Sequence, residues 1–243
     1  HMDLTKKSSG YSMCISYTMT SSKQKHYKFA VIAVDVVIFT VFDNELKVLL
    51  IKMKKKPYEA CWASPGGLVK PNESVDEAAK RHLQSKTGVT NLYLEQLYAF
   101  GDVKRDPFGR VVSVAYFALI SPSGIKLKTT KEYGGVKWFP TDKLPRLAYD
   151  HKKIIGYALS RLRSKLEYTN IVYGLLPREF ALGELQKTYE IILKKRLDKR
   201  NFRKKIFSLK FVKKAGKKIL GGKNRPAELY SFVDKKPRIV EVL

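Results

Sequence analysis

Between Gly66 and Val89 the chain reads GGLVKPNESVDEAAKRHLQSKTGV, and no other stretch limits the fold as tightly. Two glycines open a loop. From Glu73 onward Val75, Ala78, Ala79 and Leu83 recur at helical spacing, with Asn72 placed to cap the helix and Gly88 to stop it. Upstream, Ala30 to Thr40 and Lys47 to Met53 are rich in Val, Ile and Leu, and VFDNEL between them carries an Asp43-Asn44 pair suited to a hairpin turn. The apolar run from Phe29 to Phe42 is broken by Asp35 and falls short of the roughly 20 residues a bilayer span needs, so it reads as a buried strand. Val111 to Ile120 and GGVKWF around Trp138 read as further strands, and a helix is expected from Asp150 to Glu167. Strands and helices mixed in this way indicate an α+β or α/β domain.

Past LEYTNIVYGLLP the texture changes. Leu182, Leu185, Tyr189 and Ile192 form one apolar helical stripe, and Asp198 caps a second helix whose Phe202, Ile206 and Leu209 face inward. FVKKAG, KKILGGKNRP and AELYSFV then read as strand, basic loop and strand. At 243 residues the chain is long enough for two domains.

Charge points to the partner. Lys and Arg number 48 against 22 Asp and Glu, a net charge of +26, and from Lys194 to Arg225 the single acid is Asp198. Regular apolar residues run through that segment, so it belongs to a folded element and suits phosphate neutralisation. On the second helix, helical geometry leaves Arg200, Asn201, Lys204 and Ser208 opposite the apolar face, as candidates to read base edges. Lys199, Arg203 and Lys205 flank them as phosphate contacts, and Lys217, Lys218, Lys223 and Arg225 surround Gly221-Gly222 at the hairpin tip. Helix, turn, basic helix and hairpin together make the pattern of a winged helix-turn-helix.

Cys14 and Cys61 stand in no paired spacing, so neither a disulfide framework nor a zinc cluster is indicated, and a reducing cytoplasm fits. The Ser-, Thr- and Lys-rich beginning lacks the apolar core of a secretory signal, and His1 before Met2 reads as a cloning remnant.

Residues 67–89 resemble the Nudix box: Gly67, Glu73, Arg81, Leu83, Gly88 and Val89 fall in its register. By that resemblance, three metal-binding acids belong at His82, Ser85 and Lys86. Carboxylates at i, i+3 and i+4 would share one helix face and hold magnesium for pyrophosphate cleavage, whereas an imidazole, a hydroxyl and an ammonium supply no anionic cage. No catalytic residue, metal or cofactor is therefore expected. Lys86 is open to two readings, an ammonium that takes a phosphate oxygen in place of the metal or a solvated surface charge.

From Phe29 to Phe232 the chain resembles the NrtR-like regulators, in which a Nudix-like sensor is fused to a winged helix; VDVVIFTV, WASPGGLV, LEQLYAFGDVKRDPFGRVVSVAYFAL, LAYDHKKII, LDKRNFRKKI and RPAELYSF carry the likeness. The resemblance implies a Nudix αβα sandwich over residues 26–168, after a flexible extension at 1–25, and a DNA-binding winged helix over 169–243. It implies a cytoplasmic, nucleoid-associated homodimer on a palindromic operator, away from any membrane. ADP-ribose is the best-known effector of such regulators, which control NAD metabolism, while some relatives respond to sugars such as arabinose. Arg105, Asp106 and Arg110 in FGDVKRDPFGR are candidates to hold a diphosphate or ribose, although Arg105 paired with Asp106 would be an ordinary turn feature. Arg81, Glu73, Lys86 and Trp62 complete the candidate ligand set, and Phe108 is expected beside Trp62. A repressor is the leading expectation. A diphosphate hydrolase with displaced metal ligands and a non-specific nucleic-acid binder remain as alternatives.

Overall fold

The computed structural model describes residues 29–89, 92–123, 127–128, 130–219, 227–240 and 242. The elements in chain order are β1 (Val31–Phe42), β2 (Glu45–Lys52), β3 (Trp62–Ala63), β4 (Gly66–Leu68), α1 (Val75–Thr87), β5 (Tyr93–Phe100), β6 (Val111–Leu119), β7 (Gly135–Pro140) and α2 (His151–Tyr168). A 3₁₀ turn (Ile171–Gly174) leads to β8 (Phe180–Ala181), α3 (Leu182–Leu193), α4 (Lys199–Ser208), β9 (Val212–Ile219) and β10 (Ala227–Phe232).

Strands β1 to β7 form one mixed sheet ordered β3-β2-β1-β6-β5, with β4 paired to β1 and β7 to β2. The β1–β6 pairing is parallel from Val31↔Val111 to Phe39↔Leu119. Asp43 and Asn44 close the β1–β2 hairpin with φ of 52° and 60°, the left-handed turn that Asn and Asp tolerate best. Alternation along β1 divides the core. Val34, Val36 and Ile38 join Ala78, Ala79 and Leu83 of α1, while Val37 and Phe39 join Ile154, Ala158 and Leu162 of α2. Burial on both faces makes β1 a nearly continuous apolar run, and the sheet lies between two helices.

The start of α1 differs from expectation. Ser74, not Asn72, is the N-cap: its hydroxyl accepts from Glu77 N–H at 3.2 Å, and the Glu77 carboxylate accepts from Ser74 N–H at 2.8 Å. Glu73 lies outside the helix, and Gly88 ends it in the left-handed conformation, φ 73°. Strand β5, absent from the expected elements, pairs antiparallel with β6.

The apolar cluster around α2 continues without a break into Leu182, Leu185, Tyr189, Phe202 and Ile206, so one core runs beneath both parts of the chain. Polar ties cross at the same place: Arg163 Nε on α2 donates to the Ile192 carbonyl at 2.9 Å, and Lys194 reaches Asp142 at 2.6 Å. The residues after β10 return to the end of α2, where Val240 N–H donates to the Tyr168 carbonyl at 2.8 Å and Val242 N–H to that of Glu167 at 2.7 Å. Asn170, 1% exposed, clasps this return, donating from Nδ2 to the Lys236 carbonyl (3.1 Å) and accepting at Oδ1 from Arg238 N–H (2.7 Å).

Candidate effector cleft and nucleic-acid interface

Asp35 is the one acid in the buried run of β1, and the sheet around it opens into a cleft of about 300 Å³. A carboxylate out of water needs partners, and three side chains brought from far along the chain supply them. Ser113 Oγ on β6 donates to Oδ2 at 2.6 Å, Arg105 Nη2 reaches the same oxygen at 3.2 Å, and His151 Nε2 lies 3.3 Å from Oδ1. Burial opposes ionisation here, but the contacts with His151, Ser113 and Arg105 outweigh it and hold the Asp35 carboxyl at about 2.

Arg105 also binds Asp150, with Nη2 at 2.8 Å and Nε at 3.1 Å, so its guanidinium bridges two carboxylates and is 3% exposed at the side chain. The alternative reading, in which Arg105 pairs with Asp106, does not hold. Asp106 instead accepts from Phe108 N–H at 2.9 Å, turning the loop so that Phe108, exposed, stands at the mouth of the cleft. Arg110 braces the same loop by donating to the Gly101 carbonyl at 2.8 Å. It supports the wall and is not among the residues lining the cleft.

The Nudix-like segment forms the opposite wall. Gly66, Gly67 and Leu68 line it, and a Cβ on Gly67 would sit 2.6 Å from the His82 ring, which explains why only glycine fits there. Buried His82 turns its Nε2 to the Leu68 carbonyl at 3.1 Å, and burial lowers its pKa. Ser85 is exposed, its hydroxyl 3.4 Å from the His82 carbonyl. Lys86 enters the cleft, where its ammonium donates to the Gly66 carbonyl and lies 4.8 Å from the centre of the Tyr133 ring. Burial pushes that ammonium down to about 8, with Asp35 and Glu132 pulling the other way. Of its two readings, solvated charge is thus the one the structure overturns. These three side chains do not fit a divalent cation, which wants clustered anionic oxygens.

Three members of the candidate ligand set stand elsewhere. Arg81 and Glu73 are bound to each other, Nε to Oε2 at 2.8 Å, and that contact with Arg81 above all holds the Glu73 carboxyl at about 2. Trp62 packs edge-on against Phe139, ring centroids 4.6 Å apart, in the core on the α2 side. The aromatic wall comes instead from Phe108, Tyr133 and Tyr149. Tyr149 holds a left-handed φ of 52° just before α2 and packs on Tyr58 at 4.3 Å. Sequence reasoning missed Asp35, Ser64, His151 and both tyrosines as cleft residues, and Ser113 and Asp150 as the partners that hold Asp35 and Arg105. Asp35 carried a usable signal, because a lone acid within a strand buried on both faces must meet its partners at that point.

The second candidate site is α4. Glu190 accepts from Leu197 N–H at 2.9 Å and Gln186 Nε2 donates to the Leu197 carbonyl at 2.9 Å, which fixes the turn out of α3. Asp198 Oδ1 then accepts from Asn201 N–H at 2.8 Å and caps α4. Phe202 and Ile206 are buried, Phe202 lying 5.5 Å from Tyr189 of α3. Lys199, Arg200, Asn201, Arg203, Lys204 and Ser208 are exposed and Lys205 is half-buried, so the helix turns a cationic surface to solvent. Lys217 and Lys218 fall on β9, which β8 and β10 complete as a three-stranded sheet, while Lys223 and Arg225 lie outside the described residues. Among the described residues no helix is long and apolar enough to cross a membrane.

Comparison with known proteins places both halves. Residues 31–158 match the NUDIX domain family, and residues 172–232 match the NrtR DNA-binding winged helix domain. The chain is 36% identical to the ADPR responsive transcriptional repressor NtrR of Acinetobacter baylyi over 86% of this chain and 85% of that protein. It resembles the crystal structure of Shewanella oneidensis NrtR complexed with a 27mer DNA, with TM-score 0.74 and 34% identity over 83% of this chain and 93% of the other. It also resembles the NUDIX domain of that NrtR complexed with ADP ribose, with TM-score 0.51 and 36% identity over 56% of this chain and 90% of the other.

Proposed function

The chain belongs to the NrtR family of Nudix-related transcriptional regulators, and from that premise we propose that it is an ADP-ribose-responsive repressor that binds the nucleotide without hydrolysing it. One observation carries the reading: similarity to the ADPR responsive repressor of Acinetobacter baylyi runs through the cleft and the winged helix together. The regulated genes are those of NAD metabolism, of which ADP-ribose is a breakdown product.

The structure supports each half of the mechanism. Phe108, Tyr133 and Tyr149 offer aromatic surface to a planar base. His82, Ser85 and Lys86 give no anionic cage for magnesium, so the diphosphate is held and left intact. Two copies of the chain form the regulator, and their α4 helices enter successive major grooves of a palindromic operator, about 34 Å or a multiple apart. Arg200, Asn201, Lys204 and Ser208 read base edges, while Lys199, Arg203, Lys205 and the hairpin residues Lys217, Lys218, Lys223 and Arg225 hold phosphates.

Helix α2 joins the two sites. Its first turn supplies His151 to the floor of the cleft, Asp150 just before it holds Arg105 there, and its last turn is bound by the chain that follows β10. An effector that prefers one position of α2 therefore prefers one setting of the winged helix. That preference shifts the population away from operator binding, and an effector with equal affinity for both settings would have no effect.

The test is to select genomic fragments that the purified chain retains, footprint them, and repeat with ADP-ribose and with arabinose while following AMP release in magnesium. A protected palindrome, released by ADP-ribose with AMP at the level of the blank, is the expected result. Sustained AMP production would establish the hydrolase, release by arabinose alone a sugar-responsive regulator, and equal retention of random duplex a non-specific binder.

A further inference from the structure

Two polar groups on the Nudix-like wall lack a partner that satisfies them. Ser64 is 2% exposed and its Oγ has no hydrogen-bond partner among the described residues, although its backbone N–H is fixed on His151 Nδ1 at 2.9 Å. Two residues on, the Gly66 carbonyl accepts from the Lys86 ammonium. Lys86 has no carboxylate within ion-pair distance among the described residues. Both groups line the same cleft. An ammonium removed from water, with a carbonyl and the Tyr133 ring beside it but no carboxylate in contact, is poorly compensated, and so is a buried hydroxyl that bonds nothing. Arg105, the other basic side chain lining the cleft besides His151, is already occupied by Asp35 and Asp150.

We propose that Lys86 Nζ and Ser64 Oγ form a two-point subsite for one phosphate oxygen of the effector's diphosphate. A single oxyanion satisfies both groups at once, with a charge-assisted bond from the ammonium and a neutral one from the hydroxyl. A cation that offsets part of the diphosphate's charge is thus built into the chain. Arg105 is shared by Asp35 and Asp150 and balances only one of their two charges, while Ser113 and His151 occupy the Asp35 oxygens, so Lys86 is the cation left for the ligand. The ligand class follows: phosphate esters and anhydrides bind here, and the neutral nucleoside gains nothing from the subsite. This assignment rests on the cleft being the ADP-ribose site.

Titration calorimetry on the full chain tests it with ADP-ribose, adenosine and inorganic diphosphate. Lys86→Met should weaken ADP-ribose on the order of 10- to 100-fold, and Ser64→Ala about 5-fold, with adenosine binding unchanged in both. Because the two groups share one oxygen, the double variant should lose less than the product of the single losses. Ser64→Ala removes only an unpartnered hydroxyl and provides a folded variant should Lys86→Met destabilise the chain. Wild-type affinity for ADP-ribose in both single variants, or equal losses for ADP-ribose and adenosine, overturns the subsite. If ADP-ribose still frees the operator in both variants at wild-type concentrations, the repressor reading stands and the subsite falls. If inorganic diphosphate binds in a Lys86-dependent way and ADP-ribose does not bind, the subsite stands and the effector reading falls.

Discussion

Asp35 on β1 and His151 in the first turn of α2 meet across the floor of the cleft, Oδ1 to Nε2 at 3.3 Å. Ser64 N–H donates to His151 Nδ1 at 2.9 Å, which assigns the ring proton to Nε2, facing the carboxylate. The middle of the sheet is thereby tied to the start of the helix that runs under the winged helix, and a ligand touching either residue acts on both.

Asp35→Asn should destabilise the fold in a pH-dependent way. The Asp35 carboxyl is at about 2 in the folded chain against an unperturbed 3.8, so its contribution is present above about pH 4 and is lost as pH falls through about 2. A shift of this size corresponds to about 2 kcal/mol. Urea denaturation of both proteins between pH 7 and pH 2 should show the stability gap closing below pH 4. A gap of constant size across that range would contradict the assignment.

Arg105→Met should cost more than Arg81→Met. The first leaves Asp35 and Asp150 without the cation between them, which for a buried pair costs about 3–5 kcal/mol. The second breaks a pair with Glu73 that water screens at the surface. Guanidinium midpoints at pH 7 decide it, and equal losses would show that burial does not set the difference.

Asn170→Ala should separate sensing from release. The change removes the side-chain bonds to Lys236 and Arg238 that clasp the end of α2 to the chain after β10, at about 1–3 kcal/mol of stability. It touches no cleft residue. Calorimetry should give wild-type ADP-ribose affinity, while fluorescence anisotropy should show operator release needing about 10-fold more effector. Unaltered release would mean that the signal travels by another route.

On α4, Arg200→Ala and Asn201→Ala should relax sequence preference, each by about 1–3 kcal/mol at one base position. Lys199→Ala should weaken every duplex alike and reduce the slope of log K against log salt by about 1. Competition with operator and scrambled duplexes at two salt concentrations distinguishes these effects. The same loss on both duplexes for Arg200→Ala would remove that residue from base readout.

The features read directly from sequence are those whose cause is local. The β1–β2 hairpin follows from Asp43-Asn44 between two apolar runs, and α4 follows from the Asp198 cap and the Phe202 and Ile206 spacing. The exposed basic face of α4 follows as well, since helical geometry alone divides that helix into two sides. The N-terminus of α1 was misread as Asn72, although Ser74 and Glu77 stand at capping-box spacing. Asn72 is an equally good capping type, and the choice between them rests on which side chain reaches the third N–H of the helix. Strand β5 was not legible: its burial alternates poorly because it lies at the edge of the sheet.

By itself the sequence determined the two-part architecture and the cationic, solvent-facing side of α4, since each depends on residue types at short, fixed spacing. Tertiary structure alone decided what the cleft is made of. Asp35, Arg105 and His151 lie on separate elements far apart in the chain, and only the sheet register and the docking of α2 bring them together. The same docking seals Trp62 in the core with Phe139, while the α1 turn leaves Arg81 to Glu73 and directs Lys86 into the cleft. A side chain's partners are set by three-dimensional proximity in a medium that penalises unpaired charge, and residue spacing along the chain carries little record of that.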